Sequence, residues 1–307
     1  MLDNFVKIVE VGPRDGLQNE AIAIATDVKI ELVNQLASTG LSHIEVSSFV
    51  NPKRIPQLGD ASEVFNGIER IDGVTYSALV PNERGMLAAL EHSVNEVAVF
   101  TAVSNTFCEK NINCTIEASL QRFIPVIKLA EQNNIPVRAY LSCVLGCPYE
   151  GFIKPEISAW VAGRLFEMGC YQISLGDTIG VGSPRQANKL IEATRKTVPI
   201  RNIAVHFHDT RGQALANISQ CVNQGIRIVD ASITGLGGCP YAEGATGNVA
   251  TEDVVYLLHG MGYETGIDLN QLINTGQTIS KTINRISHSQ VSCAGVPNEY
   301  ASYPFTQ

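Results

Sequence analysis

A regular alternation of strand-like and helix-like segments predicts an α/β fold, a (β/α)8 TIM barrel with an additional C-terminal helical segment. Three observations carry that expectation. The apolar pattern switches between a period of two and a period near 3.6 eight times, with no break in composition. The length, 307 residues, suits one large barrel. Polar side chains recur where six separate segments reach the C-terminal ends of their strands, which is where this fold builds its sites.

The elements follow in order. A Val- and Ile-rich run at 5–11 forms the first strand, and a glycine-bounded turn, Gly12-Pro13-Arg14-Asp15-Gly16, breaks it. A helix at 27–38 opens beside Thr26, where an N-cap belongs. Strand 43–49 and helix 60–68 make the second unit, strand 75–80 and helix 83–92 the third. Strand 96–101 leads to a long amphipathic helix at 116–133, with Thr115 at its cap. Strands 137–143 and 172–176 precede helices 156–168 and 184–196, whose first turns suit Pro155 and Pro184. Strand 203–208 with helix 213–224, and strand 228–234 with helix 252–261 after Thr251, complete eight units. Residues 268–289 add a helical tail, giving one catalytic domain over 1–290 and a C-terminal tail at 291–307. A doubly wound open sheet is the competing architecture, but neither a G-x-G-x-x-G after the first strand nor a Walker A loop is present.

Composition narrows the function. At 45% hydrophobic and 17% charged, the chain can bury a sizeable core. A net charge of −8 with no Lys/Arg-rich run argues against a nucleic-acid partner. No apolar stretch approaches the roughly eighteen residues of a membrane span. The N-terminus reads as a strand rather than a targeting segment, so a cytoplasmic location is expected. Eight cysteines in so long a chain do not make a disulfide framework, and Cys143 and Cys147 lack a second pair at zinc-ligand spacing.

The chemistry concentrates in a few places. The run from Gly235 to Asn248 holds five glycines, too many for a regular element. It carries a lone thiol, Cys239, between Gly238 and Pro240, and ends on the carboxamide of Asn248. A loop that delivers one reactive group over a fixed site is a common way to complete a catalytic set. Upstream, His206 and His208 lie two apart on one strand, so they share a face and can bind one cation. Asp15 offers a hard anionic oxygen and Arg14 a fixed cation in the turn after the first strand. Glu45, inside an apolar strand, must be paired or metal-facing, because an isolated buried carboxylate is too costly. It serves Arg14 or a ligand, or forms a structural salt bridge. Glu10 reads as structural, and Asp177 either caps the next helix or lines the pocket. Two imidazoles with oxygen donors suit zinc as well as magnesium or manganese.

Four segments resemble the 3-hydroxy-3-methylglutaryl-CoA lyase family. They are Val11 to Glu20, Ser142 to Glu150, His206 to Gly212, and Gly237 to Asn248 with its G-G-C-P-Y start. The likeness extends over essentially the whole chain. It implies that Asp15, His206, His208 and Asn248 hold Mg²⁺ or Mn²⁺. It also implies that Arg14 faces the thioester oxygen, that Cys239 is the catalytic thiol of the loop, and that Glu45 and Asp177 complete the site. The implied reaction is retro-Claisen cleavage of an acyl-CoA, 3-hydroxy-3-methylglutaryl-CoA, to acetyl-CoA and acetoacetate, by a homodimer. Asp15 or His206 would take the hydroxyl proton. Three rival readings remain: a Claisen synthase, which usually carries a regulatory domain and lacks this cysteine; a metallohydrolase, whose H-x-H pair normally ends the first strand; and a non-catalytic acyl-CoA binder.

Overall fold

The computed structural model describes residues 4–238 and 247–296. Eight parallel strands close a barrel: β1 (Lys7–Glu10), β2 (His43–Ser48), β3 (Thr75–Leu79), β4 (Glu96–Ala102), β5 (Val137–Ser142), β8 (Gln172–Asp177), β9 (Ile203–Phe207) and β10 (Ile228–Ala231). The numbers six and seven belong to a two-residue-per-strand hairpin, β6 (Gly146–Cys147) and β7 (Gly151–Phe152), in the loop after β5. Around the barrel lie α1 (Thr26–Ser38), α2 (Ala61–Gly67), α3 (Glu83–Leu90), α4 (Asn105–Ile112), α5 (Ile116–Gln132), α6 (Pro155–Glu167), α7 (Pro184–Thr194), α8 (Ala214–Asn223) and α9 (Thr251–Gly260). The expected barrel is therefore the observed one, closed by β1 pairing with both β10 and β2.

Local differences have physical causes. The last strand stops at Ala231 rather than 234, because Ile233 N–H turns to donate to the Glu10 carboxylate. Thr115 caps α5 as expected, accepting from Ala118 N–H at 3.2 Å. Thr26 and Thr251 are not caps. Each is the first residue of its helix, and its hydroxyl donates elsewhere, to Asp60 at 2.8 Å and to Glu10 at 2.6 Å. Helix α4, capped by Ser104, is too short and too polar to stand out by period. The tail expected over 268–289 divides into α10 (Leu269–Thr282), capped by Asp268, and α11 (Gln290–Ala294), with left-handed Asn284 between them. Asp253 ties α11 down by accepting from Ser289 Oγ at 2.7 Å and Val291 N–H at 2.9 Å.

The barrel interior is unusually polar. Arg138 on β5 pairs with Asp230 on β10, and those strands are separated in the closed sheet by β8 and β9, so the contact crosses the lumen. His43 on β2 meets Glu96 on β4 at 3.1 Å, across β3 in the same way. Both faces of a parallel barrel strand are covered, so such groups survive only when paired or hydrogen-bonded. Most apolar side chains pack in one large core from Val6 to Ile279, and Val9, Val11, Ala204 and Ile228 form a smaller separate cluster.

Candidate active site and metal centre

The turn after β1 places the first two functional groups. Residues Gly12–Gly16 wind as a single wide turn in which Val11 C=O accepts from the N–H groups of Arg14, Asp15 and Gly16. Gly12 is required here: a Cβ would lie 2.6 Å from Glu10 Oε1 and 2.8 Å from Ile233 Cγ2. Glu10 itself is fully buried and holds the neighbouring backbone, accepting from Gly12 N–H at 2.7 Å and Ile233 N–H at 2.9 Å. That is the structural role its position in the strand suggests.

Arg14 leaves this turn into a buried cleft. Its Nε donates to Glu45 Oε2 and its Nη1 to Asp15 Oδ1, each at 2.5 Å. Its guanidinium also lies 5.2 Å from the centre of the Tyr140 ring. Burial disfavours the cation, but Glu45 and Asp15 outweigh it and hold Arg14 above its ordinary pKa. The fork of Arg14 is thus fixed between two carboxylates, and Glu45, wholly buried, is its orienting partner.

Asp15 joins the histidines. One ligand atom from each of Asp15, His206 and His208 lies within 4.8 Å of the others, a cluster able to hold a metal ion. His206 Nε2 is 3.9 Å from Asp15 Oδ2. Asp15 and His208 are in metal-binding form. Burial would raise Asp15, but Arg14, His206 and the Asn248 amide bring it down to about 2. Burial and the adjacent His206 lower His208 to about 4, so its imidazole is neutral at ordinary pH. His208 Nδ1 is buried without a hydrogen-bond partner among the described residues, which a bound cation at this cluster would help to explain. Asn248 adjoins the group: its Nδ2 donates to Asp15 Oδ2 at 2.8 Å, and its backbone bridges His208. Gly237 (φ +118°) lets the chain pass, since a Cβ there would meet Asn248 Nδ2 at 2.7 Å.

These residues open onto a cavity of about 580 Å³ at the C-terminal mouth of the barrel, lined by Arg14, Asp15, Ser142, His206, His208 and Gly238 among others. Asp177 is not among its lining residues. It is fully buried, and its carboxylate accepts from Val181 N–H at 3.1 Å and Gly182 N–H at 2.8 Å, holding the loop that leads to α7. Neither sequence reading matches this placement: Ser183 caps α7, and Asp177 holds the loop before it instead of lining the cavity. Cys239 lies outside the described residues; Gly238 and Asn248, on either side of that segment, both border the site. Every described cysteine is a free thiol.

Three site neighbours escaped the sequence reading: Tyr140, whose ring centre lies 5.2 Å from the Arg14 guanidinium and 4.9 Å from that of Arg138, and the ion pair Arg138 and Asp230. Their signal was present. A charge inside an apolar strand is the same feature that singled out Glu45.

Fold and site together define a (β/α)8 barrel with a metal-competent Asp-His-His cluster and a fixed arginine at its mouth. The family model described as HMGL-like matches residues 5–279, and the chain belongs to that family. It is 54% identical over 293 residues to the rat protein named 3-hydroxy-3-methylglutaryl-CoA lyase, cytoplasmic, covering 95% of this chain and 85% of that one. It is equally similar, at 54%, to the Pseudomonas aeruginosa 3-hydroxy-3-isohexenylglutaryl-CoA/hydroxy-methylglutaryl-CoA lyase, covering 95% of this chain and 98% of that one. The crystal structure of hydroxymethylglutaryl-CoA lyase from Pseudomonas aeruginosa superposes with a TM-score of 0.93 at 54% identity, over 95% of this chain and 97% of that chain.

Proposed function

We propose that this chain is a metal-dependent lyase that cleaves 3-hydroxy-3-methylglutaryl-CoA to acetyl-CoA and acetoacetate. The observation that carries the reading is one cavity in which Arg14 and the Asp15–His206–His208 cluster converge, in a chain about half identical to named lyases. A divalent cation held by Asp15, His206, His208 and Asn248, Mg²⁺ or Mn²⁺, would supply Lewis-acid polarisation of the C3 hydroxyl and lower its pKa. Asp15 or His206, the bases at that point, accepts the hydroxyl proton. The C3–O electrons then form the ketone of acetoacetate, and the C2–C3 pair passes to C2 as the acetyl-CoA enolate. Arg14, held rigid by Glu45, stabilises the enolate oxygen with a charge that needs no reorganisation. Cys239, outside the described residues, protonates C2 or relays that proton. Glu45 and Asp177 act through what they hold: the arginine and the loop after β8. Arg54 and Arg122 on the cavity wall supply cations for the phosphates of an acyl-CoA.

The proposal includes a single catalytic barrel over residues 1–290 with 291–307 as a tail, working in the cytoplasm as a homodimer. No helix among the described residues is long and apolar enough to cross a membrane. A panel of acyl-CoAs carrying different C3 branches, assayed for ketoacid release with EDTA and then with added Mg²⁺ or Mn²⁺, tests the function. Metal-restored cleavage of 3-hydroxy-3-methylglutaryl-CoA is the expected result. Cleavage that survives EDTA and exhaustive dialysis, or none with any member, would remove the reading. Preference for a longer branch would redefine the substrate within the same chemistry.

A further inference from the structure

Below the metal cluster, the lumen of the barrel holds a second set of charges that the proposed reaction leaves unused. Asp230 on β10 is the in-register neighbour of His206 on β9, so the two side chains stand side by side. Asp230 Oδ2 lies 3.4 Å from His206 Nδ1, while His206 Nε2, on the other side of the ring, faces Asp15. Asp230 is itself immobilised. Its Oδ2 accepts from Ser174 Oγ at 2.6 Å, and its Oδ1 pairs with Arg138 Nη2. Arg138 is locked in turn, donating from Nε to Gln172 at 2.7 Å and from Nη1 to the Tyr140 hydroxyl at 2.9 Å. Arg138, Ser174 and Asp230 are at most 1% exposed.

We propose that Asp230, fixed by Arg138 and Ser174, is a positioning residue that selects the Nδ1–H tautomer of His206 and presents the lone pair of Nε2 to the cation. This rests on the metal centre proposed above. The chemistry follows from acceptor and donor counts. An ionised carboxylate can only accept, so the His206 nitrogen facing it carries the proton and the other nitrogen is left free to ligate, which would leave Asp15, of the two bases named above, to take the hydroxyl proton. At 3.4 Å the contact is not closed into a hydrogen bond, and His206 Nδ1 is buried with no hydrogen-bond partner among the described residues; ligation through Nε2 would draw the ring into line with Asp230. A second consequence is a continuous support. Tyr140 accepts the hydrogen bond from Arg138 and carries the guanidinium of Arg14 beside its ring, so one buried assembly underlies both the metal ligand and the arginine. A carboxylate needed only to neutralise Arg138 would not have to lie next to a ligand ring.

Asp230→Asn tests this, because the amide keeps the shape but can donate to Nδ1 and so favour the Nε2–H tautomer. Two readouts need no turnover: the tautomer of His206 by long-range ¹⁵N–¹H correlation on histidine-labelled protein, assigned with His206→Gln, and Mn²⁺ binding by electron paramagnetic resonance. The expected result is a switch from Nδ1–H to Nε2–H together with Mn²⁺ affinity weakened by about 10- to 100-fold. If the single variant does not fold, Arg138→Met combined with Asp230→Asn removes the unpaired cation and should show the same two changes. An unchanged tautomer, or wild-type Mn²⁺ affinity, in the folded variant overturns the proposal. Failure of the wild-type protein to bind Mn²⁺ would instead remove the metal centre itself, so the two failures are distinguishable.

Discussion

Replacing Arg14 with methionine should produce two separable losses, one of stability and one of rate. The guanidinium makes 2.5 Å contacts with Glu45 and with Asp15, and Glu45 is completely buried. Removing the cation leaves that carboxylate without its partner, a defect that costs about 3–5 kcal/mol in buried pairs. The rate loss has a different origin. If Arg14 meets the thioester oxygen as charge develops on it, kcat should fall on the order of 10²–10³, about 2.7–4 kcal/mol, with little change in KM. Urea unfolding measures the first loss, and steady-state release of acetoacetate measures the second. The double variant Arg14→Met with Glu45→Met keeps the two apart. Replacing both members of a buried pair by apolar groups is often neutral or stabilising, so stability should return while kcat stays low. Arg14→Lys should fall between, since an ammonium cannot reproduce the fork that spans two carboxylates. Recovery of kcat in the double variant, or a defect confined to KM, would refute the transition-state role and leave Arg14 as a structural or binding group.

The other expectations can be stated more briefly. Asp15→Ala or His206→Ala should lose both Mn²⁺ affinity and turnover, since three ligands replace four poorly; full affinity with lost activity would exclude either residue from the metal shell. Cys239→Ala should bind metal and substrate nearly normally yet cleave orders of magnitude more slowly, with Cys239→Ser similarly poor because a hydroxyl is a far weaker acid than a thiol near pKa 8.5; near wild-type kcat in Cys239→Ala would end its catalytic reading. Burial pushes Glu10 from its ordinary 4.5 up to about 7, against the opposing hydrogen bonds from Thr251, Ile233 and Gly12. A folded value above the unfolded one means that this contribution is complete below pH 4.5 and lost as pH rises through about 7, an effect of about 3 kcal/mol. Glu10→Gln should therefore flatten the fall in Tm between roughly pH 5 and 8, and an unchanged slope would show that another group sets it.

Charged residues inside apolar strands mark both what could be read from this chain and what could not. The alternation of elements, and the polar groups at strand ends, are properties of short sequence windows, so the barrel and its Arg14, Asp15, His206 and His208 cluster were accessible without coordinates. Partner choice is not local. Arg138 and Asp230 stand 92 residues apart, and only closure of the sheet brings β5 opposite β10. The same limit explains the helix starts: Thr26 and Thr251 fit a local capping rule, but Asp60 and Glu10, supplied by distant segments, compete for their hydroxyls. Asp177 shows the limit at a single side chain, because either direction fits a strand end and only the fold turns it toward Val181 and Gly182. A stronger rule nevertheless follows from the lumen. Each strand of a parallel barrel is covered on both faces, so a charge in its middle can be satisfied only by another charge or polar group that the closed sheet brings near it. Glu45, Arg138 and Asp230 are all fully or almost fully buried, and each has a partner of opposite charge. Applied to Glu45 alone, that reasoning found one ion pair; applied to every charged strand position, it would also have directed attention to the pair beneath His206.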